Sequence, residues 1–217
     1  MLSPAEQQYK ETMITAIAET RALFAANTPH INREKRICRA FLRCIEVEYS
    51  EDELIRGPCE PIDITFGEAK FQLTEVLGDR RRGDDLRNLE TKYKTASVSR
   101  DLLVPIGEPE RISFPEMAAE ARKRLEQKFI KYGECKCRGL DALVHIELAN
   151  RYLYPTEVTC TEDVHTMKAE GWRSAAVLSV PYAIVLFANE TAPAFLKDRV
   201  RRVHCIDADM INRLFDE

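Results

Sequence analysis

Residues 61–77 carry polar side chains whose types and spacing suit metal-assisted hydrolysis of a phosphate ester. Two runs, 62–66 and 70–77, alternate apolar and polar residues on either side of a short turn, which predicts a β-hairpin. Because side chains alternate across a strand, Asp63 and Gln72 are expected on one polar face. A carboxylate beside an amide oxygen can hold Mg²⁺ or Mn²⁺. Such an ion would polarise a phosphate and lower the pKa of an attacking water.

Further residues near the hairpin extend this candidate site. Lys70 shares the polar face and could offset developing negative charge. Glu75 falls on the apolar face by strict alternation. A bulge would rotate it toward Asp63 as a second carboxylate, whereas a regular strand would leave it to pair with a basic residue such as Arg80. Glu34, on a preceding predicted helix, is a third candidate acid. A structural role stays open for these residues, because an aspartate at a strand start often binds turn amides.

A cluster of basic residues follows the hairpin. Its members are Arg80, Arg81, Arg82, Arg87 and Lys92. They could neutralise nucleic-acid phosphates, and a second row on one face of a later predicted helix, Arg124, Lys128 and Lys131, adds positive charge. Acidic residues are interleaved with the first cluster, so a solvated surface of ion pairs is the alternative interpretation.

Composition bounds the class of protein. The chain has 217 residues, 45% of them apolar, and a formal net charge of −4. These values are typical of an ordinary globular protein without a global basic field. Seven cysteines, an odd number without a secretory signal before them, predict free thiols in a reducing cytoplasm. No apolar run is long enough to predict a membrane span, so we expect no membrane partner.

The order of predicted elements indicates an α/β (α+β) protein. Residues 1–28 form a predicted N-terminal helical appendage, which a Thr-Pro pair ends. Residues 29–217 are expected to form one domain, in which a helix, the hairpin, further helices and later strands follow one another. Hairpins combined with a helical crossover predict a central mixed β-sheet flanked by helices.

Several short stretches resemble an uncharacterised bacterial family, a domain of unknown function labelled as an endonuclease. They lie at residues 34–38, 62–66, 70–71, 140–144, 171–174, 180–188 and 192–197. The resemblance runs in order over about residues 30–200 and leaves the N-terminal helix outside.

This resemblance implies the restriction-endonuclease-like fold of the PD-(D/E)XK superfamily and Mg²⁺-dependent cleavage of DNA. Asp63 matches the strand-start aspartate, Gln72 the second acidic position, and Glu34 an acid on the first core helix. Thr74 stands where the family pattern has lysine. The ammonium group would then come from Lys70 or from a neighbouring helix.

Two functions of different classes follow. The first is a cytoplasmic, bacterial, metal-dependent DNA endonuclease with Asp63, Gln72 and Glu75 as metal ligands and with Lys70 and Glu34 as further catalytic groups. The second is a nuclease-fold protein without catalysis that binds nucleic acid or protein as a regulatory module, with a homodimer as one form. The basic residues beside the hairpin favour the first function, while the missing lysine and the negative net charge favour the second.

Overall fold

The computed structural model describes residues 2–23, 30–77, 82–102, 110–147, 151–153 and 171–206. Its helices are α1 (Pro4–Leu23), α2 (His30–Cys44), α3 (Arg82–Thr95), α4 (Ser99–Leu102), α5 (Phe114–Tyr132), α6 (Glu134–Cys137) and α7 (Ala194–Lys197), with a 3₁₀ turn at Glu51–Glu53. Its strands are β1 (Ile55–Arg56), β2 (Ile64–Phe66), β3 (Ala69–Leu77), β4 (Glu110–Ile112), β5 (Asp141–Glu147), β6 (Arg151–Leu153), β7 (Ser174–Ser179), β8 (Tyr182–Ala188) and β9 (Val203–Cys205).

The chain divides into two compact units. The first consists of residues 1–30 and 78–109, and the second of residues 31–77 and 110–217. The predicted N-terminal helix is therefore present as α1, in one unit with α3 and α4. The domain boundary expected after residue 28 stays a prediction.

Aromatic packing joins the helices of the first unit. Tyr9 of α1 meets Tyr93 of α3 edge to face, with ring centroids 6.3 Å apart. The Lys10 ammonium donates a hydrogen bond of 2.8 Å to the Ala96 carbonyl just beyond α3. This bond satisfies a carbonyl that the end of the helix leaves without an intrahelical donor.

A mixed sheet forms the centre of the second unit. Its strand order is β1-β2-β3-β5-β7-β8-β9, with β3, β5 and β7 parallel and the other neighbours antiparallel. The inner strands β5, β7 and β8 are rich in Val, Ile, Leu and Ala and are buried along most of their length, as strands covered on both faces require. The expected α+β class with a central mixed sheet flanked by helices is confirmed.

Two helices cover opposite faces of this sheet. On one face, the apolar stripe of α2 packs on β3, where Phe41 and Phe71 meet edge to face with centroids 6.0 Å apart. On the other face, α5 packs through Met117 and Leu125 against β5 and its neighbours. Each of these side chains is almost fully buried, which contributes about 1.5–3 kcal/mol apiece.

The ends of α5 are set by local sequence. Ser113 and Glu116 form the expected capping box, in which each side chain binds the other residue's backbone amide. The helix ends at Gly133, whose φ of +80° is a conformation that favours glycine. These two signals fix which residues lie in the last turns of α5, and those turns border the candidate site.

Two helix predictions near the C-terminus have different outcomes. The sequence predicts a helix that Thr191 caps and that runs to about residue 202. The structure has only the single turn α7, because Val200 bridges to Val185 and brings the chain back to the sheet. A second helix, which the sequence predicts at 161–170 before Gly171, lies outside the described residues. Within the part of the chain that the structure describes, no helix is long and apolar enough to cross a membrane.

Candidate functional site

Asp63 lies where the pairing of β2 with β3 ends. Its backbone amide still donates to the Phe71 carbonyl at 2.9 Å, but the next β3 amide, Leu73 N, donates instead to the Asp63 Oδ2 at 2.7 Å. The carboxylate thus replaces a backbone carbonyl at the end of the ladder. Its second oxygen, Oδ1, accepts no hydrogen bond from the described residues. This half-buried oxygen is available to a ligand.

Burial governs the ionisation of Asp63. Loss of solvent raises the pKa of its carboxyl group, and the Leu73 amide, the charge of Lys128 and the Gln72 amide lower it by less. The pKa therefore lies above the ordinary aspartate value. A carboxylate that is desolvated and incompletely neutralised gains from a nearby cation.

Gln72 lies beside Asp63, as the alternation pattern predicts, but its amide is turned the other way. The Gln72 nitrogen lies 3.4 Å from Asp63 Oδ2 and also donates to the Leu73 carbonyl. The Gln72 oxygen accepts the Thr74 hydroxyl at 3.1 Å. Because the oxygen faces Thr74, Gln72 holds the Asp63 carboxylate in place rather than sharing a cation with it.

Glu75 belongs to a different cluster. The register of β3 with β5 is continuous, so alternation places Glu75 on the face of Phe71 and Leu73, opposite Gln72. Glu75 Oε1 accepts a 3.0 Å hydrogen bond from Arg33 Nε and lies 3.4 Å from His145 Nδ1. The second Glu75 oxygen forms an ion pair with the same guanidinium. The bulge that would turn Glu75 toward Asp63 is not formed, because the register of β3 with β5 is continuous. Arg33 is a basic partner of Glu75, and Arg80 lies outside the described residues.

The Arg33–Glu75–His145 cluster ties α2 to two parallel strands, since Glu75 and His145 are register partners in β3 and β5. Burial raises the pKa of Glu75. The hydrogen bond with His145 and the charge and hydrogen bonds of Arg33 together lower it by more, so the pKa lies below its ordinary value. Sequence patterns suggest a core role for His145 and give no sign of Arg33. The strand register brings Glu75 and His145 together, and the packing of α2 on β3 brings Arg33 to Glu75.

Substituting Glu75 with glutamine should lower the free energy of unfolding at pH 7 by about 1.5–3 kcal/mol, because the charged hydrogen bonds to Arg33 weaken. A depressed carboxyl pKa stabilises the fold above the unfolded-state pKa, and this contribution disappears as the pH falls through the folded-state pKa. The difference between wild type and Glu75→Gln in urea unfolding should therefore shrink toward zero at acid pH. Glu68→Gln, at an exposed glutamate, is the control and should show no such trend. A difference that stays constant down to about pH 3 would contradict this assignment.

Lys70 and Glu34 are two further residues that the sequence predicts for the site. Lys70 is exposed, and its backbone amide donates a 2.9 Å hydrogen bond to the Asp141 carboxylate. Glu34 lies one turn before the buried Cys38 on α2. Burial is the largest cause that raises the pKa of the Cys38 thiol, and the negative charges of Asp63 and Glu34 raise it further. Asp63 and Glu34 therefore act on one common point of the core.

The first basic cluster lies largely in the other compact unit. Arg80 and Arg81 are outside the described residues, and Arg82 is the first residue of α3. Arg87 is exposed and Lys92 half-buried, both on α3. Their role in binding nucleic acid stays a prediction.

The donor set around Asp63 suits one kind of metal site. Among the described residues, no group of three or more His, Cys, Asp or Glu side chains could hold an ion. One carboxylate with an oxygen free for a ligand nevertheless fits Mg²⁺, which keeps several waters and is commonly bound by one or two carboxylates together with substrate phosphates. Asp63 is the ligand that the geometry supports, while Gln72 and Glu75 are engaged elsewhere.

The fold and this site define an α+β protein with a half-buried carboxylate at the edge of a mixed sheet. Residues 5–212 match the family described as "putative endonuclease, protein of unknown function (DUF1780)", and the chain belongs to that family. The expected resemblance to this family is confirmed, but its predicted extent is wrong: the match includes the N-terminal helix α1, which was expected to lie outside it. No curated protein matches the chain in sequence.

A solved structure shows a related fold. A protein of unknown function from Pseudomonas aeruginosa strain PAO1, described as belonging to the monooxygenase superfamily, superposes with a TM-score of 0.65. The two chains are 24% identical, and the match covers 93% of this chain and 96% of that one. The likeness concerns the fold alone, because similar folds host unrelated chemistry.

Proposed function

We propose that this protein is an endonuclease that hydrolyses DNA phosphodiester bonds with the help of Mg²⁺ or Mn²⁺. The observation that carries the proposal is Asp63, a half-buried carboxylate with a raised pKa and with one oxygen that no described residue binds. The family description supports the reaction class. Groups with perturbed pKa values at a sheet edge are candidates for functional sites.

Each residue of the site has a definite task in this proposal. Asp63 would hold the ion through its available oxygen, while Leu73 N and the Gln72 amide fix the carboxylate through Oδ2. When bound, Mg²⁺ polarises the phosphate and lowers the pKa of a coordinated water. The single carboxylate makes the site weak without substrate, since the phosphate itself supplies further oxygen ligands.

The restriction-endonuclease-like core is part of the same proposal. Asp63 before β2 and Gln72 on β3 occupy the two acidic positions that the resemblance implies. Thr74, at the lysine position, is buried and donates its hydroxyl to Gln72. A threonine so placed supplies no positive charge, so the ammonium of this site has to come from another element.

Cleavage of supercoiled plasmid tests the proposal. Wild-type protein with Mg²⁺ or Mn²⁺ should convert supercoiled DNA to nicked and linear forms, and EDTA should stop the conversion. Asp63→Ala should leave the plasmid intact. If the wild type fails to cut with either ion, or if Asp63→Ala cuts at the same rate as wild type, the proposed reaction is wrong.

A second function is favoured by the chemistry at Thr74. A buried hydroxyl in place of the lysine, together with one available carboxylate, suits a nuclease-fold protein that binds nucleic acid or protein without cutting it. Binding of an oligonucleotide without cleavage under any metal condition would support this regulatory module over the enzyme.

A further inference from the structure

Two cations of helix α5, Arg124 and Lys128, form no salt bridge with a carboxylate among the described residues. The Arg124 guanidinium donates a 3.2 Å hydrogen bond to the Gln127 side-chain oxygen, and its buried Nε has no hydrogen-bond partner among those residues. The Lys128 ammonium lies 5.6 Å from the centroid of the Tyr132 ring. Both side chains are half-buried. Partly desolvated cations of this kind are stabilised by an anionic ligand.

The last turn of α5 attaches this row to the segment before Asp63. Lys131 donates a 2.6 Å hydrogen bond to Glu60 Oε1, and the Tyr132 hydroxyl donates to the same oxygen at 3.2 Å. The Lys131 ammonium also lies 4.9 Å from the Tyr132 ring centroid. Glu60 is three residues before Asp63, so the basic row ends beside the candidate metal ligand.

Lys128 is connected to the site through Tyr132: its ammonium lies 5.6 Å from the Tyr132 ring centroid, and the Tyr132 hydroxyl binds Glu60, three residues before Asp63. Side-chain alternation in β3 directs Gln72 toward the face that α5 covers, and Gln72 contacts Asp63. Burial raises the pKa of Asp63, and the charge of Lys128 partly offsets that rise. The hydrogen bonds from Lys131 and Tyr132 are the largest causes that lower the pKa of Glu60, and the charge of Lys128 lowers it by a smaller amount.

We infer that the α5 row of Arg124, Lys128 and Lys131 binds the phosphates of a nucleic-acid strand, and that Lys128 contacts the phosphate next to Asp63. This inference rests on the proposed function for the identity of the reaction, but the binding surface can be tested without it. Lys128 supplies the positive charge that Thr74 lacks and stabilises negative charge developing on the phosphate.

Binding of fluorescently labelled oligonucleotides tests the surface. Fluorescence anisotropy is measured in EDTA at several salt concentrations, with single-stranded DNA, duplex DNA and single-stranded RNA of one sequence. Lys128→Ala and Arg124→Ala should each weaken binding by about 5–10-fold at low salt and reduce the slope of log K against log salt by about one. Lys123→Ala, at an exposed lysine adjacent to the row, is the matched control and should change binding less than about twofold.

Two further measurements separate charge from structure and nucleic acid from protein. Lys128→Arg keeps the positive charge and should bind within about twofold of wild type. If Lys128→Ala weakens binding and Lys128→Arg does not, the lost charge is the cause. A poly-glutamate peptide at equal charge should not displace the oligonucleotide. If Lys128→Ala binds as tightly as wild type, if Lys128→Arg fails as badly as Lys128→Ala, or if the peptide competes equally, the inference is wrong.

The outcomes also distinguish this inference from the proposed reaction. If wild type binds through the row but never cuts the plasmid, the endonuclease proposal fails and the binding surface stands. If wild type cuts and Lys128→Ala binds and cuts as wild type does, the endonuclease proposal stands and the role of Lys128 is excluded.

Discussion

Asp141→Ala is expected to lower the free energy of unfolding by about 3–5 kcal/mol, because removing one partner of a buried ion pair leaves the other charge uncompensated. Asp141 is fully buried at the start of β5. Its oxygens accept hydrogen bonds from Arg173 Nε at 3.0 Å, Ser174 Oγ at 2.7 Å and the Lys70 amide at 2.9 Å. A second contact with the Arg173 guanidinium completes the pairing.

The measurement is urea unfolding at pH 7 followed by circular dichroism. Asp198→Ala, at an exposed aspartate after α7, is the control and should change stability by less than about 0.5 kcal/mol. Asp141→Asn should be nearly as damaging as Asp141→Ala, since its amide nitrogen would face at least one donor. A loss of unfolding free energy below about 1 kcal/mol for both variants would show that this hydrogen-bond network contributes little to stability.

The position of Asp141 explains why this effect is structural. The carboxylate contacts β3 through the Lys70 amide, belongs to β5, and binds Ser174 at the start of β7. It therefore joins three adjacent strands at one edge of the sheet. Both carboxylate oxygens of Asp141 accept hydrogen bonds from protein groups, which leaves no oxygen for a ligand. Asp63 differs, because its Oδ1 accepts no hydrogen bond from the described residues.

Local sequence signals predict much of what surrounds Asp63. Alternation in 62–66 and 70–77 gives the hairpin and places Gln72 next to Asp63, because side-chain direction in a strand follows from residue parity alone. Capping signals give both ends of α5. These features depend on residues a few positions apart, which a single sequence displays directly.

Partners that are distant in the chain are not predictable in this way. Arg33 meets Glu75 across 42 positions, and Arg173 meets Asp141 across 32. Both pairings depend on the strand order, which brings β5 between β3 and β7 and places α2 over one face. The sequence predicts a basic partner for Glu75 in a regular strand and offers Arg80 as an example, but it gives no sign of Arg33, which lies far away in the chain.

The orientation of the Gln72 amide is a second feature that parity cannot predict. Parity places the side chain on the correct face but does not say which end of the amide meets Asp63. The buried Thr74 hydroxyl and the Leu73 carbonyl decide it, since one needs an acceptor and the other a donor. The Gln72 nitrogen therefore faces Asp63, while its oxygen, the atom that would bind a metal ion, faces Thr74.

Asp63→Asn is expected to reduce metal-dependent DNA cleavage at least about 100-fold while leaving the fold intact, and this combination separates chemistry from structure. The asparagine oxygen can still accept the Leu73 amide hydrogen bond. Burial raises the pKa of Asp63, so the protein disfavours the charged form relative to water, and a neutral isostere should cost less than about 1 kcal/mol of folding stability. An amide, however, is a far weaker ligand for Mg²⁺ than a carboxylate.

Plasmid cleavage and thermal unfolding are therefore measured on the same preparations of wild type, Asp63→Asn and Asp52→Asn. Asp52 is an exposed aspartate of the same unit, and its substitution should change neither property. Added Mg²⁺ with a non-cleavable oligonucleotide should raise the melting temperature of wild type and Asp52→Asn but not of Asp63→Asn, because ligand bound to the folded state stabilises it. Equal cleavage by Asp63→Asn and wild type would assign Asp63 to the strand ladder alone, as a carboxylate that only completes the pairing of β2 with β3.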